Sequence, residues 1–178
     1  MIMPLPFRLL LWPLSLVYGA AARLHASLYA LGVYTTRHLN APVISVGNLS
    51  VGGTGKTPMV LWLAERFLAE HKRVAILSRG YRGSGGTSDE VKMLKGRLGD
   101  RVVFGVGPDR YFEGRRIESE QPVDVFLLDD GFQHLELARD ADIVLVDCTT
   151  FQTERWLLPA GSMREPVSAL RRRSTSPS

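Results

Sequence analysis

A glycine-rich stretch that ends in lysine and threonine holds the residues of this chain best suited to chemistry. Residues Ser50 to Thr57 read Ser-Val-Gly-Gly-Thr-Gly-Lys-Thr. The stretch follows an apolar run at Pro42–Val46 and precedes a helical pattern from Pro58 to about Glu70. Backbone N–H groups in such a turn point at phosphate oxygens, and a following helix N-terminus adds a favourable dipole. The stretch therefore predicts a site for a nucleoside triphosphate.

The loop supplies both phosphate and metal ligands in this interpretation. Lys56 is expected to reach the β- and γ-phosphates of ATP, and the Thr57 hydroxyl is expected to ligate Mg²⁺. The expected phosphate-binding residues are Ser50, Val51, Gly52, Gly53, Thr54, Gly55, Lys56 and Thr57. Ser50 stands where the general pattern G-x-x-x-x-G-K-[ST] has its first glycine. A flexible glycine turn with a chance lysine is the alternative at this point.

An apolar run that ends in two carboxylates could supply the metal half of the site. Asp129 and Asp130 follow the run that starts at Val125. Such a strand presents an acid beside a phosphate-binding loop, where it holds Mg²⁺ directly or through water. Paired acids after a strand also occur as helix caps, so the interpretation depends on the loop. His134 follows closely, either to orient a carboxylate, to contact substrate, or as a structural histidine.

Three further charged residues are candidates for phosphoryl transfer. Asp89 and Glu90 close a segment rich in glycine and serine that starts at Arg79. A kinase that acts on a hydroxyl needs a carboxylate near the acceptor oxygen, and Asp89 is a candidate by position. The alternative is that the two acids cap a helix-like run at Val91–Lys95. Arg164 could neutralise charge on the transferring phosphoryl group.

Five runs rich in apolar and β-branched residues predict the strands of a sheet. Near-continuous apolar strands indicate a sheet buried on both faces. A strand, a helix and a strand in succession predict a parallel α/β domain, here a P-loop NTPase-like, mostly parallel sheet flanked by helices. The length of 178 residues fits one such domain. The predicted strands cover residues 43–46, 74–77, 101–104, 125–128 and 143–146.

Composition narrows the classes of partner. Hydrophobic residues make up 45% and charged residues 22%, as in ordinary soluble proteins. The net charge of +4 does not indicate nucleic-acid binding, because the arginines at 171–173 have no aromatic residues among them to stack on bases. The single cysteine, Cys148, excludes an internal disulfide and a multi-cysteine metal site. Since it ends an apolar run, we expect it to be buried and inert.

The N-terminal region carries an uncharged apolar stretch at Leu9–Ala22. The stretch is shorter than the roughly 20 residues that a membrane-spanning helix needs. One hypothesis is a helix in the membrane interface, with Trp12 and Tyr18 at headgroup depth and Arg8 and Arg23 toward lipid phosphates. A helix packed on its own domain and a secretory signal are the alternatives.

Four groups of residues occur in an order that is typical of one family. They are Val46–Pro58, Ser78–Gly83, Asp129–His134 and Leu157–Gly161 with Arg164-Glu165-Pro166. Together they closely resemble tetraacyldisaccharide 4'-kinase, the lipid A 4'-kinase of Gram-negative bacteria, from the N-terminus to about Leu170. Family members carry serine or threonine at the position of Ser50.

The resemblance implies ATP- and Mg²⁺-dependent phosphorylation of the 4'-hydroxyl of an acylated glucosamine disaccharide, the lipid A precursor. It also implies an enzyme at the cytoplasmic face of the inner membrane, which favours the interface-helix hypothesis. By the same resemblance, Asp89 is the catalytic carboxylate and Arg164 with Glu165 contacts the nucleotide end. Glu90, Asp129 and Asp130 are implied as metal-site groups.

The resemblance also bears on domain organisation. Family members continue into a second α/β lobe after the Arg-Glu-Pro segment, so we expect this chain to be the N-terminal, nucleotide-binding portion. An inactive nucleotide- or membrane-binding fragment and another P-loop ATPase are the alternative functions. The sequence does not indicate an oligomeric state. The predicted bounds are a membrane-interface region at 1–35, a nucleotide-binding domain at 36–170 and a disordered tail at 171–178.

Overall fold

The computed structural model describes residues 5–80, 89–148 and 156–171. Over these residues helices and strands alternate along the chain. The α-helices are α1 (Leu5–Ala30), α2 (Lys56–Ala69), α3 (Asp89–Leu98) and α4 (Arg110–Glu120). The strands are β1 (Val43–Asn48), β2 (Val74–Ser78), β3 (Val102–Val106), β4 (Val125–Asp129) and β5 (Ala141–Leu145). Short 3-10 helices cover Gly99–Arg101 and Val167–Arg171.

The strands form one five-stranded sheet in the order β3-β2-β4-β1-β5. The pairs β1–β4, β2–β4 and β2–β3 are parallel. Every residue of β2 and of β4 is buried, as their continuous apolar runs predict. The expected α/β architecture with a parallel sheet is therefore confirmed.

Both faces of the central strands are covered. Ala75 and Leu77 of β2 form a buried cluster with Ile117 of α4. Ile76 and Leu127 alternate with the cluster residues along their strands, so they point to the opposite face, and both are fully buried. Each such aliphatic side chain contributes about 1.5 to 3 kcal/mol through its burial. The central strands thus form a rigid support for whatever follows their carboxyl ends.

Helix α4 is an element that the sequence analysis did not predict. Few of its positions are apolar, and Ile117 is the buried residue that joins it to the core. Its start is fixed by Asp109, whose Oδ1 accepts a hydrogen bond of 2.8 Å from the backbone N–H of Phe112. A side-chain cap of this kind stabilises a helix by about 1 kcal/mol.

The described residues divide into two compact units. One comprises residues 5–35, 48–54, 144–148 and 156–171, and the other comprises 36–47, 55–80 and 89–143. Within the first unit, the Ser15 hydroxyl donates to the Leu157 carbonyl at 3.0 Å and accepts from the Ala160 N–H at 3.0 Å. The Tyr18 hydroxyl donates to the Arg164 carbonyl at 3.0 Å. The predicted bounds 1–35 and 36–170 stay predictions.

Helix α1 exposes many of its large apolar side chains. They are Phe7, Leu9, Leu10, Trp12, Leu14, Leu16, Val17 and Leu24. None of the helices in the described part of the chain has the combined length and apolarity of a membrane span. Arg8 is buried, so the expectation that it faces lipid phosphates is wrong.

Two other expectations concern single features. Cys148 is exposed, so the prediction of a buried thiol is wrong; strand β5 ends at Leu145, three residues before the cysteine. Residues 172–178 of the predicted tail lie outside the described residues. So do residues 81–88, which are most of the glycine-rich segment that starts at Arg79.

Candidate functional site

The lysine and threonine of the glycine-rich loop lie in the first turn of α2. Gly55 precedes the helix in the left-handed conformation, with φ of 82°, which glycine adopts without strain. Gly55 also has no side chain that could occupy the free N–H groups of the first turn, so an anion can take them. Lys56 is mostly buried, and its Nζ lies 3.6 Å from Oδ1 of Asp130. Thr57, the next residue of the helix, is buried.

The earlier part of the loop belongs to the first unit and is fixed by hydrogen bonds there. Asn48 Nδ2 donates to Thr54 Oγ1 at 2.9 Å across the loop. The Val51 N–H donates to the Ser162 carbonyl at 2.7 Å. The Arg164 N–H donates to the Leu49 carbonyl at 2.7 Å, and Ser50 forms an antiparallel bridge with Met163. The backbone of Arg164 therefore lies directly beside the start of the loop.

The two carboxylates follow β4 and differ in environment. Asp129 is 3% exposed, whereas the side chain of Asp130 is 39% exposed. Burial, followed by the charges of Glu90 and Asp130, raises the pKa of Asp129 to about 6 against the opposing charge of Lys56. Three carboxylates thus share one region with one nearby ammonium. Such a group favours a bound cation.

These groups fit Mg²⁺ better than a metal held by protein alone. Within residues 5–80, 89–148 and 156–171, no three His, Cys, Asp or Glu side chains converge as a closed metal site. Mg²⁺ commonly takes one or two carboxylates and fills its remaining positions with water and phosphate oxygens. Asp129, Asp130 and the Thr57 hydroxyl match that pattern.

A basic cluster lies near the acids. Arg110 is buried, and its Nη1 lies 3.4 Å from Nδ1 of His134 and donates to the Pro108 carbonyl at 3.2 Å. Burial, followed by the charge of Arg79, lowers the pKa of Arg110, while Asp130 and Asp129 oppose the shift. Because the charges of Asp129 and Asp130 affect the pKa of Arg110, the arginine lies close enough to interact with both carboxylates. Its surroundings suit an anionic group of a ligand.

His134 is uncharged at neutral pH. Burial, followed by the charges of Arg110 and Arg139, lowers its pKa to about 4. Its Nε2 is buried and has no hydrogen-bond partner in the described part of the chain. Of the three sequence-based hypotheses for this residue, its position in the cluster agrees with both a ligand contact and a structural role.

The turn after the acids lies against the end of β1. The Gly131 N–H donates to the Val46 carbonyl at 3.2 Å. A Cβ on Gly47 would come within 2.5 Å of the Cβ of Phe132, which only glycine avoids. Phe132 itself is buried. The position of the turn is therefore set by direct contact with the strand that leads into the loop.

Comparison with known proteins agrees with this geometry. A family model, LpxK, described as tetraacyldisaccharide-1-P 4'-kinase, matches residues 7–175. The chain belongs to this family.

Relatives of this LpxK-family chain match it along most of its length. A protein of Geobacter sulfurreducens named tetraacyldisaccharide 4'-kinase is 48% identical over 173 residues, which are 88% of this chain and 49% of that protein. One of the same name from Geobacter metallireducens is 46% identical over 180 residues, covering 92% of this chain and 53% of that protein. The chain thus spans about half the length of the curated relatives it matches.

A solved structure shares the fold. The crystal structure of the "apo" form of LpxK from Aquifex aeolicus in complex with ATP aligns with a TM-score of 0.82 at 38% identity. The alignment covers 93% of this chain and 56% of that one. The P-loop kinase fold of this LpxK-family chain is therefore established together with its family.

The structure brings together four of the predicted site residues in the second unit. They are Lys56, Glu90, Asp129 and Asp130, and Thr57 follows Lys56 in α2. Asp89 lies in the first turn of α3, where its fully exposed carboxylate is 3.6 Å from Lys92 Nζ. That placement agrees with the helix-capping alternative, and a catalytic role for Asp89 stays a prediction.

Two buried arginines were missed by the sequence analysis. Arg110 occupies the first turn of α4, where the helix dipole disfavours a cation, and this mismatch is a signal that the sequence does carry. Arg139 is 4% exposed and lies outside every motif described above. Its isolated position in the sequence carries no comparable signal.

Proposed function

We propose that this chain is the ATP-binding portion of a kinase that phosphorylates the 4'-hydroxyl of a tetraacylated glucosamine disaccharide. The observation that carries the proposal is the approach of Lys56 Nζ to Asp130 at 3.6 Å, beside the buried Asp129. The names of the relatives and the ATP complex of the Aquifex aeolicus protein support the same activity and nucleotide.

The loop would bind the triphosphate through charge and backbone. Lys56 would donate to the β- and γ-phosphates, and the free N–H groups in the first turn of α2 would donate to phosphate oxygens. Arg164 would neutralise phosphoryl charge, as the family resemblance implies.

Thr57 with Asp129 and Asp130 would hold Mg²⁺, and Glu90 would add negative charge to the region. The metal ion, when bound, neutralises charge on the phosphates and orients them. The protein's own contribution is to keep these oxygens on α2 and at the end of β4, two elements anchored in the core.

The acceptor would be positioned by the remaining charged residues. Asp89 would orient the 4'-hydroxyl and take its proton as the bond to phosphorus forms. The family description names a 1-phosphate on the disaccharide, and the buried Arg110 suits such an anionic group.

We further propose that α1 lies in the membrane interface at the cytoplasmic face of the inner membrane, where a lipid substrate is found. The exposed apolar side chains of α1 support this placement, since a helix that displays Leu10, Trp12 and Val17 gains free energy by burying them among lipids.

Calorimetric titration with ATP and Mg²⁺, followed by transfer of labelled phosphate to the tetraacyl disaccharide, tests the kinase proposal. Lys56→Ala should weaken ATP binding by about tenfold to a hundredfold, because a charge-assisted hydrogen bond is lost. Lys72→Ala, an exposed lysine before β2, is the matched control and should bind like the unchanged chain. The absence of ATP binding by the unchanged chain would overturn the proposal.

Flotation with vesicles of phosphatidylethanolamine and phosphatidylglycerol tests the membrane proposal. Leu10→Glu together with Val17→Glu should abolish flotation, since each places a charge on the apolar surface of α1. Phe112→Glu replaces an equally exposed apolar residue on α4 and should leave flotation unchanged. Equal flotation of all these proteins would contradict an interfacial role for α1.

A further inference from the structure

Arg139 is a buried arginine whose contacts converge on one short segment. Its Nη1 donates to the carbonyls of Gly131 and Phe132, each at 3.1 Å, and to the carbonyl of His134 at 3.3 Å. Its Nε lies 3.3 Å from Oδ1 of Asp142. The guanidinium therefore binds three carbonyl groups of the turn at 131–134. The carboxylate of Asp142, whose side chain is 13% exposed, balances its charge.

That turn directly follows the two carboxylates of the candidate site. Asp130 has φ of 51°, in the left-handed region that non-glycine residues adopt at a cost of about 1 kcal/mol. Such a conformation persists only where the neighbouring chain fixes it. Strand β4 fixes the chain before Asp130, and after it the Gly131 N–H bonds to the Val46 carbonyl.

Arg139 is the side chain that fixes the turn from its other side. The carbonyls of the turn accept from Nη1, and the Gly131 carbonyl also accepts from the His134 N–H at 2.9 Å. Loss of the Arg139 hydrogen bonds would destabilise the turn by about 0.5 to 1.5 kcal/mol for each bond. A turn released from Arg139 could rotate its peptide groups toward other donors. Asp130 would then leave its left-handed conformation, and its Oδ1 would no longer lie 3.6 Å from Lys56 Nζ.

On the basis of the Mg²⁺–nucleotide site proposed above, we propose that Arg139 is a positioning residue for that site. It holds the turn at 131–134 and thereby holds Asp130 in the orientation that faces Lys56. Its hydrogen bonds go to the carbonyls of Gly131, Phe132 and His134, so it acts through the backbone of the turn. Replacement of residues that orient metal-binding carboxylates typically lowers metal affinity tenfold to a hundredfold.

The test compares Arg139→Gln and Arg139→Lys with the unchanged chain, using ATP with Mg²⁺ and ATP with a chelator as probes. The factor by which Mg²⁺ raises the affinity for ATP is here called the Mg²⁺ gain. Arg139→Gln should make the Mg²⁺ gain about tenfold smaller. Its ATP affinity without Mg²⁺ should stay near that of the unchanged chain, because Lys56 and α2 are untouched. A general loss of structure would weaken both forms alike.

Proton NMR titration of His134 separates charge from geometry. Arg139→Gln removes a cation near the imidazole, so the pKa of His134 should rise. Arg139→Lys keeps the charge without the planar fork of donors, so the pKa of His134 should stay low while the Mg²⁺ gain still falls.

Arg73→Gln is the matched control. Arg73 pairs with a carboxylate too, that of Asp124, but it does so before the first residues of β2 and β4, at the end of the sheet away from the acids. It should lower the melting temperature and leave the Mg²⁺ gain unchanged. A Mg²⁺ gain within about twofold of the unchanged chain in folded Arg139→Gln, or in Arg139→Lys if the first variant does not fold, would overturn the inference. If the unchanged chain does not bind ATP, the proposed function would be overturned instead.

Discussion

Lys56 Nζ lies 3.6 Å from Asp130 Oδ1, although the two residues come from different elements. Lys56 opens α2, which follows β1, and Asp130 follows β4. These strands pair in parallel with Val46 opposite Asp129, so both chains leave the sheet at the same edge. The register of one strand pair thus sets the distance between the lysine of the glycine-rich loop and the acid that follows β4.

The Lys56–Asp130 pair should matter far more for ligand binding than for folding. In a double-mutant cycle with Lys56→Met and Asp130→Asn, we expect a coupling in unfolding free energy of less than about 1 kcal/mol, because the Asp130 carboxylate is partly exposed. The same cycle measured by Mg²⁺–ATP titration should show a larger coupling. The exposed Arg66–Glu70 pair serves as control and should show none in ATP binding. Equal couplings in both measurements would argue against a site role.

Asp129 should destabilise the protein above pH 6. Its pKa is about 6 in the folded chain and 3.8 as the reference value, so between these values the folded state holds a proton that the unfolded state has released. Stability from this group therefore falls as pH rises from about 4 to 6, by about 3 kcal/mol in total. Asp129→Asn should raise the unfolding free energy at pH 8 in a chelator and change it little at pH 3.5.

The same substitution should remove the Mg²⁺ gain in ATP affinity, because the amide cannot replace the carboxylate as a metal ligand. Urea denaturation at the two pH values and calorimetric titration measure the two effects. A variant that is less stable than the unchanged chain at pH 8 would contradict the assigned environment of Asp129.

His134 should oppose Asp129 over the same pH range. Its pKa is lowered to about 4 from 6.5, so the unfolded state binds the proton first and stability is lost as pH falls from about 6.5 to 4. His134→Gln should remove this loss, amounting to about 3 kcal/mol at most. Denaturation at pH 4 and pH 7 measures the change, with the exposed His71→Gln as control. If His134→Gln lost as much unfolding free energy between pH 7 and pH 4 as the unchanged chain does, the prediction would be wrong.

Gly47→Ala should damage both fold and site. The added Cβ would lie 2.5 Å from the Cβ and 2.8 Å from the N of Phe132, so the backbone of the turn must shift at a cost of about 1 to 3 kcal/mol. We expect a lower melting temperature and a reduced Mg²⁺ gain in ATP affinity. Gly96→Ala in α3 meets no atom within 4 Å and should stabilise the chain by up to about 1 kcal/mol. Calorimetric melting of both variants checks the contrast.

Ser15 should account for much of the attachment of α1 within its unit. Its buried hydroxyl bonds to both Leu157 and Ala160, so Ser15→Ala leaves a backbone N–H and a carbonyl without that partner, at about 1 to 3 kcal/mol. Limited proteolysis should then cut α1 faster. Ser27→Ala, at an exposed position of the same helix, should not change the rate.

The parts of the fold that the sequence predicted well are those where burial controls composition. Strands β2 and β4 are buried on both faces, so their residues had to be apolar and their positions could be read directly. Strand β5 begins at Ala141, two residues before the predicted start, because Asp142 interrupts the apolar pattern while pairing with Arg139. Helix α4 escaped notice because few of its residues are apolar: Ile117 belongs to the buried cluster and Tyr111 packs against it.

The candidate site divides in the same way. Lys56 and the two acids belong to local patterns whose spacing carries the chemistry, so the sequence predicted them. Arg110 contacts His134, 24 positions away in the sequence, so no local spacing records that contact. Arg139 bonds to nearby backbone carbonyls, which every residue type carries, so the residue types around it do not reveal its contacts either. The exposure of Asp89 likewise depends on the start of α3, which the sequence could place but not orient.

The close approach of Gly47 to Phe132 limits how this site could be moved to another protein. A designer who copied the lysine, the threonine and the two acids onto a different parallel sheet would reproduce the side chains proposed to bind Mg²⁺ and the β- and γ-phosphates. The graft would still misplace the acids wherever the recipient strand carried a side chain at the position of Gly47. The transferable unit is therefore a pair of neighbouring strands with their turn, and the glycine belongs to it as much as the lysine does.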